Sequence, residues 1–292
     1  DTTIVRAVPH VAPEVYAALA SGLKLEPRHL SALLDRGWTR EAVVWRGLRT
    51  LPPLGRPWRR EDLVRRLVDA YGPETLLAIP GFYLRTSQAG RRYVAFAGRA
   101  GLLIPIRRLD GSICGFKVRT DGDATNTDGK PAPRYTWISS APVGGPGPSA
   151  MLLPEDVDPC DPDRPRLPCH VPLASPAVWA PDAVRLVEGP LGAETCTLLD
   201  SEHIRTVAMD SCSSWRNALP VLRALRPRVV WLAIDRDWRD KPVVARALKD
   251  AIDGLARHGY EVRIDHWPAP HKGLDDHFTA LARERRRCDV HE

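Results

Sequence analysis

Residues 229–237 read Val229-Val230-Trp231-Leu232-Ala233-Ile234-Asp235-Arg236-Asp237, six apolar residues followed by two aspartates flanking an arginine. An unbroken apolar run of this length predicts a strand covered on both faces, as in a parallel sheet. A strand with one wet face would alternate apolar and polar residues instead. Around this run the chain switches between strand and helix patterns. Val184-Arg185-Leu186-Val187 predicts a strand, Leu191 to Leu199 a helix, Ile204 to Met209 a strand, and Trp215 to Leu225 a helix. Beyond the run, Val243, Val244, Ala247, Leu248, Ala251, Ile252 and Leu255 form one stripe of a long helix, and Tyr260 to Ile264 the next strand. Repeated βα units with short links predict an α/β fold with a doubly wound, mostly parallel sheet.

In an open parallel sheet, ligands bind beyond the carboxyl ends of the strands. The residues just past three of these ends are Glu188, Asp210 and Asp235, all acidic. Asp237 lies two beyond Asp235, which in extended chain puts both on one side. Any one of these acids alone is an ordinary turn residue. Three strand ends in agreement, with an Asp-x-Asp pair, point to a use for the charge, because carboxylates beside apolar strands are costly to desolvate. A hard divalent cation takes such oxygen donors, and magnesium keeps waters that phosphate oxygens can replace.

Upstream the pattern differs. Residues 13–50 read as short helices, with Leu30, Leu33 and Leu34, then Val43, Val44 and Leu48 at helical spacing. A further helix runs from about Glu61 to Tyr71 and is stopped by Gly72-Pro73. From Gly81 to Ser140 the pattern is strand-like: Leu102 to Ile106 and Ile113 to Arg119 flank an Asp110-Gly111 turn. Tyr135 to Ile138 predicts one more strand, after a polar loop at 121–134. Residues 141–182 are proline-bearing and irregular. The expected division is a helical region over 1–80, a smaller α+β part over 81–182 ending in the 141–182 connection, and the α/β part over 183–292.

The 292 residues carry 42 Lys and Arg against 36 Asp and Glu, a net +6 that suits a polyanionic partner without proving one. Arg99, Arg107, Arg108, Lys117, Arg119 and Arg134 gather on or beside the Asp110-Gly111 hairpin. Each alone reads as a solvated strand face; together they suit phosphate contacts that carry no sequence information. Lys117 and Arg119 alternate onto one face and, with Arg134, are the favoured three. Tyr135 and Trp137 could stack on a base, although strand packing is the simpler use. Arg283, Arg285, Arg286 and Arg287 read as a solvated helix end, and Trp215, Trp231 and Trp267 as core. The six cysteines contain no C-x-x-C pair, so a zinc ribbon is not expected, and free thiols fit a reducing cytoplasm. No apolar run reaches the ~18 residues that a membrane span needs, and no signal peptide is evident. Asp1 stands where Met would begin a chain, so a piece of a longer polypeptide is expected.

Val187-Glu188-Gly189-Pro190-Leu191-Gly192-Ala193, followed by Ile234-Asp235-Arg236-Asp237, resembles the TOPRIM signature shared by bacterial-type primases, topoisomerases and some nucleases. Lys272-Gly273-Leu274-Asp275-Asp276 is similar to the Lys-Gly-hydrophobic-Asp-Asp motif of TOPRIM primase-like proteins from phages, plasmids and integrative elements. Upstream, Leu103 to Ile106, Gly115 to Arg119 and Arg134-Tyr135 resemble the primase segment before TOPRIM, and Leu30 to Leu51 the helical lead-in of the mobile-element group. The resemblance implies a primase-like nucleotidyltransferase that makes primers on single-stranded DNA from nucleoside triphosphates, beside a replicative helicase or fused helicase domain. It implies Mg2+ (or Mn2+) held by Asp235 and Asp237 with Asp275 or Asp276. Glu188 would be general base or acid, or a further ligand, and Lys272 would face the phosphates. Arg99, Arg107, Lys117, Arg119 and Arg134 would grip template and nucleotide. A TOPRIM nuclease is the runner-up, and a non-catalytic binding module the third reading. The chain departs from the family pattern at Ala208-Met209-Asp210-Ser211, where a glycine is usual near the end of the second strand, and it shows no N-terminal zinc domain.

Overall fold

The structure, a computed structural model, describes residues 2–53, 57–122, 129, 131, 133–156, 167–173 and 182–289. Cys160 and parts of the 121–134 loop and the 141–182 connection lie outside them. The elements are α1 (Thr2–Ser21), α2 (Pro27–Leu34), α3 (Arg40–Arg46), β1 (Arg49–Leu51), α4 (Pro57–Tyr71), α5 (Pro73–Leu77), β2 (Phe82–Thr86), β3 (Arg92–Phe96), β4 (Gly101–Arg107), β5 (Ile113–Thr120) and β6 (Tyr135–Trp137). They continue as β7 (Ala183–Glu188), α6 (Pro190–Leu199), β8 (Arg205–Met209), α7 (Leu219–Leu225), β9 (Val229–Ala233), α8 (Pro242–Arg257), β10 (Glu261–Ile264) and α9 (Leu274–Asp289). Two compact units result: Asp1–His29 with Gly47–Ile106 and Ser112–Pro168, and Leu30–Arg46 with Arg107–Gly111 and Cys169–Glu292.

The first unit is built on a sheet of order β1-β4-β5-β6 and a separate β2-β3 hairpin. α1 buries Ala12, Val15, Tyr16 and Leu19, one stripe of a helix, against Phe116 and Val118 of β5 and Leu63, Val64 and Leu67 of α4. The Tyr16 hydroxyl donates to the Pro80 carbonyl at 2.9 Å, so its burial leaves no unmet polar group. Two expectations change here. The first helix starts at Thr2, well before residue 13. Arg49–Leu51, inside the stretch read as helical, is a strand antiparallel to β4. A three-residue strand has no period of its own; only the free edge of β4 defines it.

The second unit contains the doubly wound sheet. Its order is β10-β9-β7-β8, with every neighbouring pair parallel. Adjacent residues on each strand part to opposite faces. Leu186, Val207 and Leu232 join Trp215, Leu222, Leu248 and Leu255 in one core, while Val187, Ala208 and Ala233 join Ala193, Cys196, Leu274 and Phe278 in the other. Helices therefore cover both faces, which is what the unbroken apolar run in β9 requires. The stretch expected as one helix from Trp215 begins instead as a 3₁₀ segment, Cys212–Ala218, before α7. Pro220 explains the restart: it lacks the N–H that a continuing α-helix would use. Gly254 lets α8 lie against this segment, since a Cβ there would come 2.1 Å from the Trp215 ring. Among the described residues, no helix is long and apolar enough to cross a membrane.

Candidate active site

β7 is central, between β8 and β9, so the carboxyl ends of three adjacent strands open on one edge. Glu188 closes β7, opposite Met209. Gly189 then turns the chain at φ 78° with no atom near its missing Cβ, and its N–H donates to the Met209 carbonyl at 2.7 Å. Pro190 opens α6. Asp235 follows the end of β9 and leads into a 3₁₀ turn over Arg236–Arg239. The extended geometry expected for Asp235 to Asp237 is therefore absent, because this turn replaces it. The two acids still share a cation. Lys272 Nζ is 2.6 Å from Asp235 Oδ2 and 3.8 Å from Asp237 Oδ2. Lys241, at the start of α8, pairs with Asp237 at 2.7 Å.

The Lys272-Gly273-Leu274-Asp275-Asp276 segment is tied to this edge by its backbone, as the Arg236 N–H donates to the Lys272 carbonyl at 2.9 Å. Gly273 is needed there: a Cβ would lie 2.5 Å from Asp275 Oδ1 and 3.1 Å from Asp235 Oδ1. The two carboxylates thus come together over a glycine. Arg36, from the turn after α2, donates to Asp275 Oδ2 at 3.0 Å. Asp276 is exposed and accepts from the Gly273 N–H.

Electrostatics follow from this crowding. Burial raises the Glu188 pKa above the ordinary value; the Cys212 N–H opposes this, Asp235 and Asp237 add to it, and Lys272 opposes it. Burial also raises Asp275, helped by Asp276 and opposed by Arg36. Lys272 is raised by its hydrogen bond to Asp235. So Glu188, Asp235, Asp237 and Lys272 act on one another as a group. Asp210, at the end of β8, is exposed. Among the described residues, no group of three or more His, Cys, Asp or Glu is preassembled to hold a metal ion. The ammonium of Lys272 stands against the aspartate pair instead.

Behind α6 lies a buried ionic tie that sequence reading missed. Glu194 is 0% exposed and Arg46 2% exposed, and Arg46 Nη1 bonds Glu194 Oε2. His170 Nε2 lies 3.2 Å from Glu194 Oε1, while His170 Nδ1 accepts the Arg107 N–H at 3.1 Å. An imidazole accepting at Nδ1 carries its proton on Nε2, toward the carboxylate. Trp38 Nε1 donates to Thr195 Oγ1 at 3.2 Å. Burial, with Arg107 nearby, lowers Arg46 to about 10, so it stays charged at neutral pH. No spacing in the chain signals a pairing 148 residues apart.

The expected nucleic-acid cations fall into both units. In the second, Arg107 donates to the carbonyls of Gly111 and Arg46 at 2.9 and 3.3 Å, tying its own hairpin to α3. In the first, Arg99 lines an open cavity of about 730 Å³ with Tyr83, Thr120 and Asp121. Lys117 is buried, its ammonium 5.1 Å from the centre of the Trp137 ring. Arg119 pairs in register with Tyr135, and Arg134 is exposed. Arg283 and Arg286, expected as part of a solvated helix end, donate to the carbonyls of Asp35, Leu34, Gly37 and Trp38. They satisfy the open end of α2, as cations do at helix C-termini. Trp215 and Trp267 are core, whereas Trp231 is half-buried beneath Arg263.

The fold, a parallel four-stranded sheet in one unit and antiparallel sheets in the other, matches that of bacterial primase catalytic domains. No family model and no curated protein matches the chain. Among solved structures it is similar to the zinc-binding and RNA polymerase domains of Aquifex aeolicus primase, at 18% identity and TM-score 0.64, over 94% of this chain and 59% of that one. It is similar to the RNA polymerase domain of Mycobacterium tuberculosis primase DnaG, at 16% identity and TM-score 0.60, over 97% of this chain and 82% of that one. A third is the DnaG primase catalytic domain bound to ssDNA, at 16% identity and TM-score 0.56, over 97% of this chain and 79% of that one.

Proposed function

We propose that the chain is a primase-type nucleotidyltransferase with a TOPRIM-type site, joining nucleoside triphosphates on a single-stranded DNA template with Mg2+ or Mn2+. The observation that supports it most is the pairing of Asp235 and Asp237 with Lys272 after the end of one strand, with Glu188 closing the adjacent one. The donors are all oxygen, Asp275 comes against the same glycine as Asp235, and Lys272 already fills a cation's place. Such a set fits a hard divalent ion. Asp235 and Asp237 would hold it, with Asp275 or Asp276 assisting. When bound, it supplies charge neutralisation at the triphosphate and polarises the phosphorus centre.

The chain's own residues do the rest. Glu188 Oε1 is engaged by the Cys212 N–H, which leaves Oε2 to take the proton of an attacking hydroxyl. Lys272, drawn off the aspartates by the incoming charge, would meet the phosphates, since phosphoryl transfer rests mainly on positioning and charge stabilisation. Arg99, Arg107, Arg119 and Arg134 would contribute phosphate contacts, while the buried Lys117 would support the Trp137 ring on the paired strand. The Lys272 to Asp276 motif supports a setting in cytoplasmic phage or mobile-element replication, beside a replicative or fused helicase.

The test is incorporation of labelled nucleoside triphosphates on single-stranded DNA with Mg2+, run beside a nuclease assay on the same template. Template-dependent product that disappears in Asp237→Asn supports the proposal; cleavage without synthesis replaces it with the nuclease reading. Divalent binding is measured separately by the thermal shift of the protein, where saturation at about 100 Kd adds ~2.7 kcal/mol of stability.

A further inference from the structure

The turn after β8 offers a second layer to the site. At Ala208-Met209-Asp210-Ser211 the chain lacks the glycine that its resemblance anticipated, and it builds the turn from hydroxyls instead. Ser211 is extended, at φ −163° and ψ 168°, and precedes the 3₁₀ segment. The Ser214 hydroxyl bonds both backbone polar groups of Ser211: it accepts the Ser211 N–H at 3.0 Å and donates to the Ser211 carbonyl at 2.7 Å. The Ser214 N–H donates to that same carbonyl at 3.0 Å. Between these clasped residues sits Cys212. Its side chain is 2% exposed and packed in the core with Trp215 and Ala218. Its N–H points the other way and donates to Glu188 Oε1 at 2.7 Å. The peptide is thus held from the core on one side and by the Ser214 clasp on the other.

We infer that Ser214 is a positioning residue for Glu188, acting through the Cys212 N–H to fix the carboxylate at the strand edge. A glutamate has three rotatable bonds, and at the end of a strand little else stops the last of them. Among the bonds that the described residues make to this carboxylate, the Cys212 N–H is the direct one. A hydroxyl two residues on is suited to the task because it can set the peptide without adding charge. This inference takes the role of Glu188 from the proposed function, but the hydrogen bond is measurable without any reaction.

The experiment compares the full chain with Ser214→Ala and Ser214→Thr. Hydrogen exchange of the Cys212 amide, followed by NMR in metal-free protein, reads the bond to Glu188 directly. Ser214→Ala is expected to speed that exchange about tenfold, with the amides of β7 and β9 unchanged, and Ser214→Thr to restore it; a tenfold change is what loss of one ordinary hydrogen bond gives. In primer synthesis, Ser214→Ala is expected to lower kcat about tenfold with KM for nucleotide within about twofold, because a misplaced general base costs rate and not binding. Ser214→Thr should recover most of kcat. The inference is overturned if Ser214→Ala leaves Cys212 exchange unchanged, if exchange rises equally through all strands, or if Thr rescues neither reading. A wild-type chain that makes no primer, but whose Cys212 amide still depends on Ser214, removes the proposed function and leaves the positioning role standing.

Discussion

Two clusters of charge in the second unit make opposite use of the same residue types. Behind α6, Glu194, Arg46 and His170 are almost wholly buried and answer one another. At the sheet edge, Glu188, Asp235, Asp237, Asp275 and Asp276 outnumber the cations bonded to them, which are Lys272, Lys241 and Arg36. The buried cluster is matched in charge: the Glu194 carboxylate answers the Arg46 guanidinium. The edge is left with negative charge in excess, held apart by lysines that are 61% exposed and can move away. Burying a charge is tolerated only when it is matched; leaving charges unmatched is tolerated only near water, where a ligand can complete them. The difference separates a structural tie from the proposed site.

The comparison breaks most severely at its buried half. Glu194→Ala strands the Arg46 guanidinium without a counter-charge and should cost about 3–5 kcal/mol in urea unfolding. The paired replacement Arg46→Met with Glu194→Leu should cost distinctly less, since it removes both charges together. At the edge, Asp235→Asn should lower primer synthesis by about 100-fold, the scale lost with one preorganised electrostatic contact. Its unfolding stability should change little, which is the reverse of the Glu194 result.

A smaller effect sharpens the contrast through pH. The folded pKa of Glu188 is raised, so its stabilising proton is fully bound below the ordinary carboxylate value. That contribution is lost as pH rises through the raised value. This component of the metal-free protein's stability should therefore fall between pH 4 and pH 7, and Glu188→Gln should remove it, so that the difference in stability between wild type and variant changes with pH in denaturation series; a difference independent of pH speaks against the crowding. Smallest of all, Lys241→Ala removes an exposed pair four residues apart and should shift stability by less than about 0.5 kcal/mol.

Much of the edge was legible from the chain. Strand ends are local facts: an apolar run stops, and the next residue is the one that faces the opening. Glu188, Asp235 and Asp237 could be found that way, and the Lys272 to Asp276 motif by resemblance. The partners Arg36 and Arg46 could not. Arg36 lies in the turn after α2 and Arg46 at the end of α3, in a stretch near the N-terminus that belongs to the second unit, and no local pattern says so. Lys241 stood within reach of Asp237 at helical spacing, a signal that the extended-chain reading of Asp235 to Asp237 concealed. The clasp of Ser214 was not read either, because it lies in a 3₁₀ segment that begins at Cys212, ahead of the helix expected from Trp215.

What the amino-acid order alone determined is the parallel sheet and the acids at its edge, because period and apolar run length are properties of consecutive residues. What only the tertiary structure decided is which charges are answered. Pairing depends on distances between segments far apart in the chain, and Coulomb energy and desolvation are set by those distances and by burial, neither of which a linear order contains.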